Sequence, residues 1–303
     1  MIAVETFQKL QVTSMKKFLI AIVLLLSIVP VSGCSRQANA QIVATTKPVY
    51  DFTSALCQNT DLNVSLLVSE KLSCLHDYTL QVHQMRAIES AELLILSGAG
   101  LEDFLEDALA NADHVIDSSE GIILHCADHS HHGEEHHHEH DPHIWLSVEN
   151  ARSMAQNIYR GLLQKYPQYQ SVFEKNLFDL TVQFDQLDSY GKETLSQLST
   201  DQLITFHDGF SYFADYWGLH ILHSLEEESG SEASAAELKE LIRLVRDNEI
   251  PAIFVEENGS TSAAYTVAQE TGIRVYALNM GMSGNDYFEV MYSNIDTIRE
   301  ALG

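Results

Sequence analysis

Short apolar runs alternate with helix-length stretches along this chain, and the pattern repeats in its two halves. Nothing else in the sequence restricts the fold as much. Ile42-Val43-Ala44, Leu62 to Val68, Leu93 to Leu96 and His114-Val115-Ile116 read as strands separated by helices, which is a βαβ rhythm. In the second half, Leu203 to Phe206, Leu219 to Leu222, Ala252 to Val255 and Arg274 to Leu278 repeat it. From Ser234 to Asn248 the residues Leu238, Leu241, Ile242 and Val245 share one helical face, with Ser234 placed to cap it. The expectation is an α/β protein of two βα lobes with similar topology.

Between the halves, Ser147 to Leu198 carries apolar residues at helical intervals, with Pro167 and Gly191 as its main turn signals. It reads as a short helix followed by a long one that begins at Pro167, where the missing N–H costs nothing. Such a helix joins two lobes more stiffly than a hinge would. The expected boundaries are a first lobe over 41–146, linking helices over 147–198 and a second lobe over 199–303.

The N-terminus reads as an address. Lys16 and Lys17 precede an apolar run from Phe18 to Val31, the charged and hydrophobic parts of an export signal. The run is short for a membrane span. It ends in Val31-Ser32-Gly33-Cys34, which resembles the bacterial lipobox, so residues 1–33 are expected to be removed and Cys34 to carry lipid. Residues 34–40 then form a polar tether. Met15, directly before the lysines, is an alternative start. With Cys34 lipidated, Cys57, Cys74 and Cys126 remain, enough for at most one internal disulfide.

Charge narrows the function classes. The chain has 43 Asp and Glu against 17 Lys and Arg, a balance that repels phosphate backbones and argues against nucleic acid. Its 15 histidines are unevenly placed: nine of them fall at 125, 129, 131, 132, 136, 137, 138, 140 and 143. The tract His129–His140 has no apolar residue to bury, and such tracts bind divalent metals through shifting sets of imidazoles. His129, His131, His132, His136, His137, His138 and His140 are therefore candidate auxiliary ligands, within a loop spanning 125–140.

Parallel α/β lobes place their sites beyond the carboxyl ends of strands, and each lobe supplies a histidine there, with a third before the linking helices. His76 follows the second strand, His207 ends the strand Leu203 to Phe206, and His143 precedes the linking helices. Taken singly, each is an ordinary polar residue. Together, three neutral imidazoles suit zinc and leave one tetrahedral position to fill.

Three motifs carry these histidines: Leu75-His76-Asp77-Tyr78, Asp141-Pro142-His143-Ile144-Trp145-Leu146-Ser147 and Thr205-Phe206-His207-Asp208-Gly209-Phe210. On them, the mature chain resembles the zinc and manganese solute-binding proteins of ABC transporters, the cluster A-I family. The resemblance implies two lobes joined by a rigid backbone helix, with metal between them, and delivery to a membrane permease and its ATPase. It also implies a monomer outside the cell membrane, anchored through Cys34. Zinc-selective members usually have histidine at the third motif, whereas manganese-selective members place a carboxylate there, as harder metals prefer oxygen. His207 thus favours Zn2+ over Mn2+.

Members often supply an acidic residue in the last loop, but Leu278-Asn279-Met280-Gly281-Met282-Ser283-Gly284 has none. Asn279, water or a histidine of the 125–140 loop remain as fourth ligand, with water beside Asn279 preferred. Asp77 and Asp208 are candidates to hold the histidines in place.

Two weaker patterns mislead. His132-Gly133-Glu134-Glu135-His136 matches an inverted metallopeptidase motif, but that chemistry needs an ordered helix and Gly133 sits in a polar repeat. Gly98-Ala99-Gly100 lacks the third glycine of a dinucleotide fingerprint and reads as a turn. A zinc hydrolase or a metal buffer or adhesin without a transporter are the competing functions. Deleting residues 129–140 is expected to lower the zinc stoichiometry in equilibrium dialysis while leaving one tight site; an unchanged count would remove the tract from metal binding.

Overall fold

A computed structural model describes residues 41–69, 75, 78–109, 114–126, 140–225, 233–282 and 284–303. The first lobe contains β1 (Ile42–Ala44), α1 (Lys47–Leu56), β2 (Val64–Leu66), α2 (Val82–Ser90) and β3 (Leu93–Leu96). A 3-10 turn, Asp103–Leu105, leads into α3 (Glu106–Leu109), and β4 (Val115–Asp117) completes the lobe. A second 3-10 turn, Ile144–Leu146, opens α4 (Val148–Lys165), and a third, Pro167–Tyr169, separates it from α5 (Gln170–Leu195). The second lobe runs β5 (Gln202–Thr205), α6 (Ser211–Trp217), β6 (His220–Ser224), α7 (Ala235–Asp247), β7 (Ala252–Glu256), α8 (Ser262–Thr271), β8 (Arg274–Leu278) and α9 (Tyr287–Leu302).

Each sheet has four parallel strands in the same spatial order, β2-β1-β3-β4 and β6-β5-β7-β8. In both, the chain reverses its direction of travel between the two central strands, and there the connecting loops part to leave a crevice. The expected strands are present, with β3 and β8 ending where the apolar runs end. At β6 the strand sits two residues later at its far end than the apolar run, at His220–Ser224, and its pairing with β5 shifts register between Leu203 and Ile204. It lies at the sheet edge and is only half-buried, so apolar content marks it weakly.

Local chemistry explains the helix starts. Ser147 accepts from the Asn150 N–H at α4, and Ser234 and Glu237 form a reciprocal capping box at α7. Gly191 does not interrupt α5. It lies inside the helix because a side chain there would collide with the Trp217 ring, its Cβ falling 2.3 Å from the ring edge. The turn Gly98-Ala99-Gly100 has positive φ at all three residues, +83°, +56° and +85°. At Gly98 a Cβ would also meet Asp117 at 1.9 Å.

One hydrophobic core runs from the first sheet through α4 and α5 into the near face of the second, joining Phe52, Trp145, Phe173, Phe184, Phe254 and Tyr287. A smaller cluster around Ile204, Leu241, Ile253 and Val267 fills the far face of the second sheet. Residues Ala40–Gly303 accordingly pack as one compact unit. Among the described residues no helix is long and apolar enough to cross a membrane. The predicted signal segment, the tether and Cys34 lie outside the described residues.

Glu102 fastens the carboxyl ends of the central strands of the first lobe. Its Oε1 accepts from the Thr45 hydroxyl (2.5 Å) and the Ser97 N–H (2.7 Å), and its Oε2 accepts from the Gly98 N–H (2.9 Å). Burial pushes its carboxyl up to about 7, against the pull of those three donors. Glu102→Ala leaves all three donors without this acceptor and is expected to cost about 3 kcal/mol of stability. Urea denaturation checks this, and a loss below about 1 kcal/mol would show that Glu102 does not hold the strand ends.

Candidate metal centre

The second lobe builds its half of the site from strand register alone. Thr205 of β5 pairs with Phe254 of β7, and the Phe206 N–H donates to the Phe254 carbonyl at 2.9 Å. Two residues beyond that pair on each strand stand His207 and Glu256, so the two side chains leave the sheet together at its central crevice. His207 Nδ1 lies 3.9 Å from Glu256 Oε2, and both residues are buried. Gly209 makes room for the imidazole: a Cβ at this position would lie 2.7 Å from His207 Cδ2 and 2.5 Å from the Met280 methyl.

His143 comes from the loop before α4. Asp141 grips it twice, accepting from its backbone N–H at 2.9 Å and lying 2.7 Å from its Nδ1. Burial alone would raise the Asp141 carboxyl, but the charge and hydrogen bonds of His143 and the Ser211 hydroxyl outweigh it and hold the group below its ordinary value. A carboxylate can only accept, which assigns the His143 proton to Nδ1 and the lone pair to Nε2. Next to it, the fully buried Trp145 donates its indole N–H to the Met280 carbonyl at 2.7 Å and accepts the Tyr287 hydroxyl on its own carbonyl at 3.0 Å. His143 is thereby held against the last loop of the second lobe.

The imidazoles of His143 and His207 meet with ring centres 5.3 Å apart and planes at 84°. Two imidazoles bound through Nε2 to one tetrahedral zinc, at bonds of 2.0–2.1 Å, would have ring centres about 5.2 Å apart. The pair therefore has the spacing of two ligands on one ion. Behind the His143 ring Asp141 stands at hydrogen-bond distance, the arrangement that fixes ring orientation and raises ligand basicity in metal centres, while Glu256 lies farther from the His207 ring, at 3.9 Å.

His76, the third predicted ligand, and its neighbour Asp77 lie outside the described residues, as do Cys74 and the tract His129, His131, His132, His136, His137 and His138. Among the described residues no group of three or more His, Cys, Asp or Glu converges as a metal cluster. His140 is described, and its backbone pairs with Cys126 in an antiparallel bridge, which brings the two ends of the tract together. Cys57 is a buried thiol and Cys126 an exposed one; neither is in a disulfide.

Asn279 is tied into the loop that follows β8. Its amide oxygen accepts from the Gly281 N–H at 2.7 Å and its amide nitrogen donates to Glu257, so both ends of the amide are engaged in shaping the loop. Asp208 accepts from the Ser224 hydroxyl at 3.3 Å. Among the described residues, Asp141 lies beside His143 and Glu256 beside His207. For Glu256 the signal lay in the sequence: an acidic residue closing the apolar run Ala252–Val255 of a strand buried along its whole length. For Asp141 it was the spacing of two residues from His143.

Residues 42–301 match the family described as zinc-uptake complex component A, periplasmic (ZnuA). The zinc-binding lipoprotein AdcA of Streptococcus pneumoniae is 31% identical over 290 residues, covering 88% of this chain. The chain spans 58% of the length of that relative. The manganese ABC transporter substrate-binding lipoprotein PsaA of Streptococcus anginosus is 28% identical over 316 residues, covering 95% of this chain and 99% of its own length. The crystal structure of Zn(II)-bound AdcA from Streptococcus pneumoniae superposes with a TM-score of 0.74 at 30% identity, over 86% of this chain and 57% of that one. The fold, the paired histidines and these matches agree: the chain belongs to the family of zinc-uptake complex component A.

Proposed function

We propose that this protein is the zinc-capturing subunit of an ABC transporter, which binds Zn2+ outside the cell membrane and delivers it to a permease driven by an ATPase. The observation that carries this reading is the His143–His207 pair, two buried imidazoles at zinc-ligand spacing with a carboxylate behind each. His76 is the third ligand and water beside Asn279 the fourth, the Asn279 amide oxygen being a weaker ligand once it accepts from the Gly281 N–H. Lipid on Cys34 anchors the protein, and the tract His129–His140 collects zinc near the site. It acts as a monomer.

Manganese is the second reading, favoured by the likeness to PsaA. Against it stands the ligand chemistry, since the described donors are imidazole nitrogens and the carboxylates lie behind the rings. Competition between the two metals for the purified protein separates the readings; tighter binding of manganese than zinc would overturn the assignment.

His143→Ala and His207→Ala are each expected to abolish tight zinc binding in a chelator-competition titration, and retained affinity in either would remove that residue from the site. Asp141→Asn and Glu256→Gln keep the ligands and lose the carboxylate behind them. Each is expected to weaken zinc affinity by about 10- to 100-fold. Wild-type affinity in both would show that the carboxylates do not support the site.

A further inference from the structure

The last loop of the second lobe brings sulfur to the histidine pair. A Cβ on Gly209 would lie 2.5 Å from the Met280 methyl and 2.9 Å from His207 Nε2, so the thioether end and the ring nitrogen border the same small gap. Only glycine leaves that gap open. Met280 and His207 are both buried.

The backbone fixes Met280 in this place. Trp145 donates its indole N–H to the Met280 carbonyl at 2.7 Å, and its ring centre stands 5.4 Å from that of His143. On the preceding residue, the Asn294 amide meets both backbone groups of Asn279, accepting from its N–H at 2.9 Å and donating to its carbonyl at 2.8 Å. Gly281 follows with φ at +75°, in the left-handed region that favours glycine. Met280 is thus pinned from both sides, and its side chain is carried to the His207 edge of the pair.

A thioether adds little to a zinc site, whereas as a soft ligand it selects Cu(I). Charge points the same way. The last loop, Leu278 to Gly284, has no carboxylate, so the two imidazoles and the thioether are all neutral donors. Neutral donors offset the desolvation of a dication less fully than an anionic ligand would, and a soft monovalent ion asks less of them. Cu(I) is stable with three donors, which these residues supply.

We propose that Met280 is a specificity-determining residue that admits Cu(I) to the site, on His143, His207 and the Met280 thioether, as a second cargo beside zinc. The inference rests on the zinc-capture reading of the His143–His207 pair and widens the substrate class of that same site. Zinc takes the imidazoles with water and leaves the sulfur aside. Cu(I) takes the imidazoles with the sulfur, and the two ions exclude one another because they share both histidines.

Met280→Leu keeps the volume and apolar character of the side chain and removes the sulfur. The full-length protein is titrated against a chromophoric Cu(I) chelator, without oxygen and with ascorbate to hold the copper reduced. Wild-type protein is expected to take Cu(I) from the chelator, and in the variant Cu(I) affinity is expected to fall at least about 10-fold with zinc affinity unchanged. The copper K-edge spectrum is expected to carry a sulfur scatterer that the variant lacks. Equal Cu(I) affinity in the two proteins, or a parallel loss of Cu(I) and zinc affinity in the variant, would overturn the thioether's role and leave the proposed function standing. Absence of tight zinc binding by the wild-type protein would instead overturn the proposed function.

Discussion

The structure depends on one buried contact more than on any other, the indole of Trp145 wedged between the lobes. Its N–H reaches the Met280 carbonyl and its own carbonyl receives the Tyr287 hydroxyl, so one residue at the end of the first lobe is bonded to two places in the second. Tyr287 in turn packs edge-on to Phe52 of the first lobe, with ring centres 4.8 Å apart, and takes its N–H to Asp51 at 3.0 Å. Since Trp145 follows His143 by two residues, the same wedge sets where His143 stands relative to His207. A buried polar contact of this kind has little freedom, because breaking it strands an indole N–H and two carbonyl partners out of water.

Around that wedge, the two lobes contribute to the site by different means. The second lobe relies on its sheet: adjacent parallel strands in register deliver His207 and Glu256 to the same place. The first relies on a loop, in which Asp141 folds back on the histidine two residues later and is itself fastened by Ser211 and Tyr212 from across the lobe boundary. The result is similar in both, an imidazole with a carboxylate on its Nδ1 side. The loop Leu278–Gly284 is free to use Asn279 for its own turn.

The two-lobe α/β plan was legible from periodicity because burial and hydrogen bonding in a parallel sheet leave a plain mark. Strands covered on both faces become uninterrupted apolar runs, as at Leu93–Leu96. Where one of these conditions lapsed, so did legibility. The half-buried edge strand β6 carries His220 and His223 within it, and its limits were displaced. Gly191 looked like a break because glycine usually marks one, whereas the Trp217 ring that requires it lies 26 residues away in sequence.

By itself, the sequence determined the class of fold and the place of His207 just beyond β5, since these follow from residue type and local order. Only the tertiary structure decided which carboxylates serve those histidines. Asp141 reaches His143 because the loop between them folds back on itself. Glu256 reaches His207 because β5 and β7 pair side by side, although 49 residues separate the two in sequence. Likewise His125 meets Asp215 and Ser211 only because α6 packs beside the loop that leads to His143. Such contacts depend on strand register and on how the lobes close, and neither is written in the spacing of residue types.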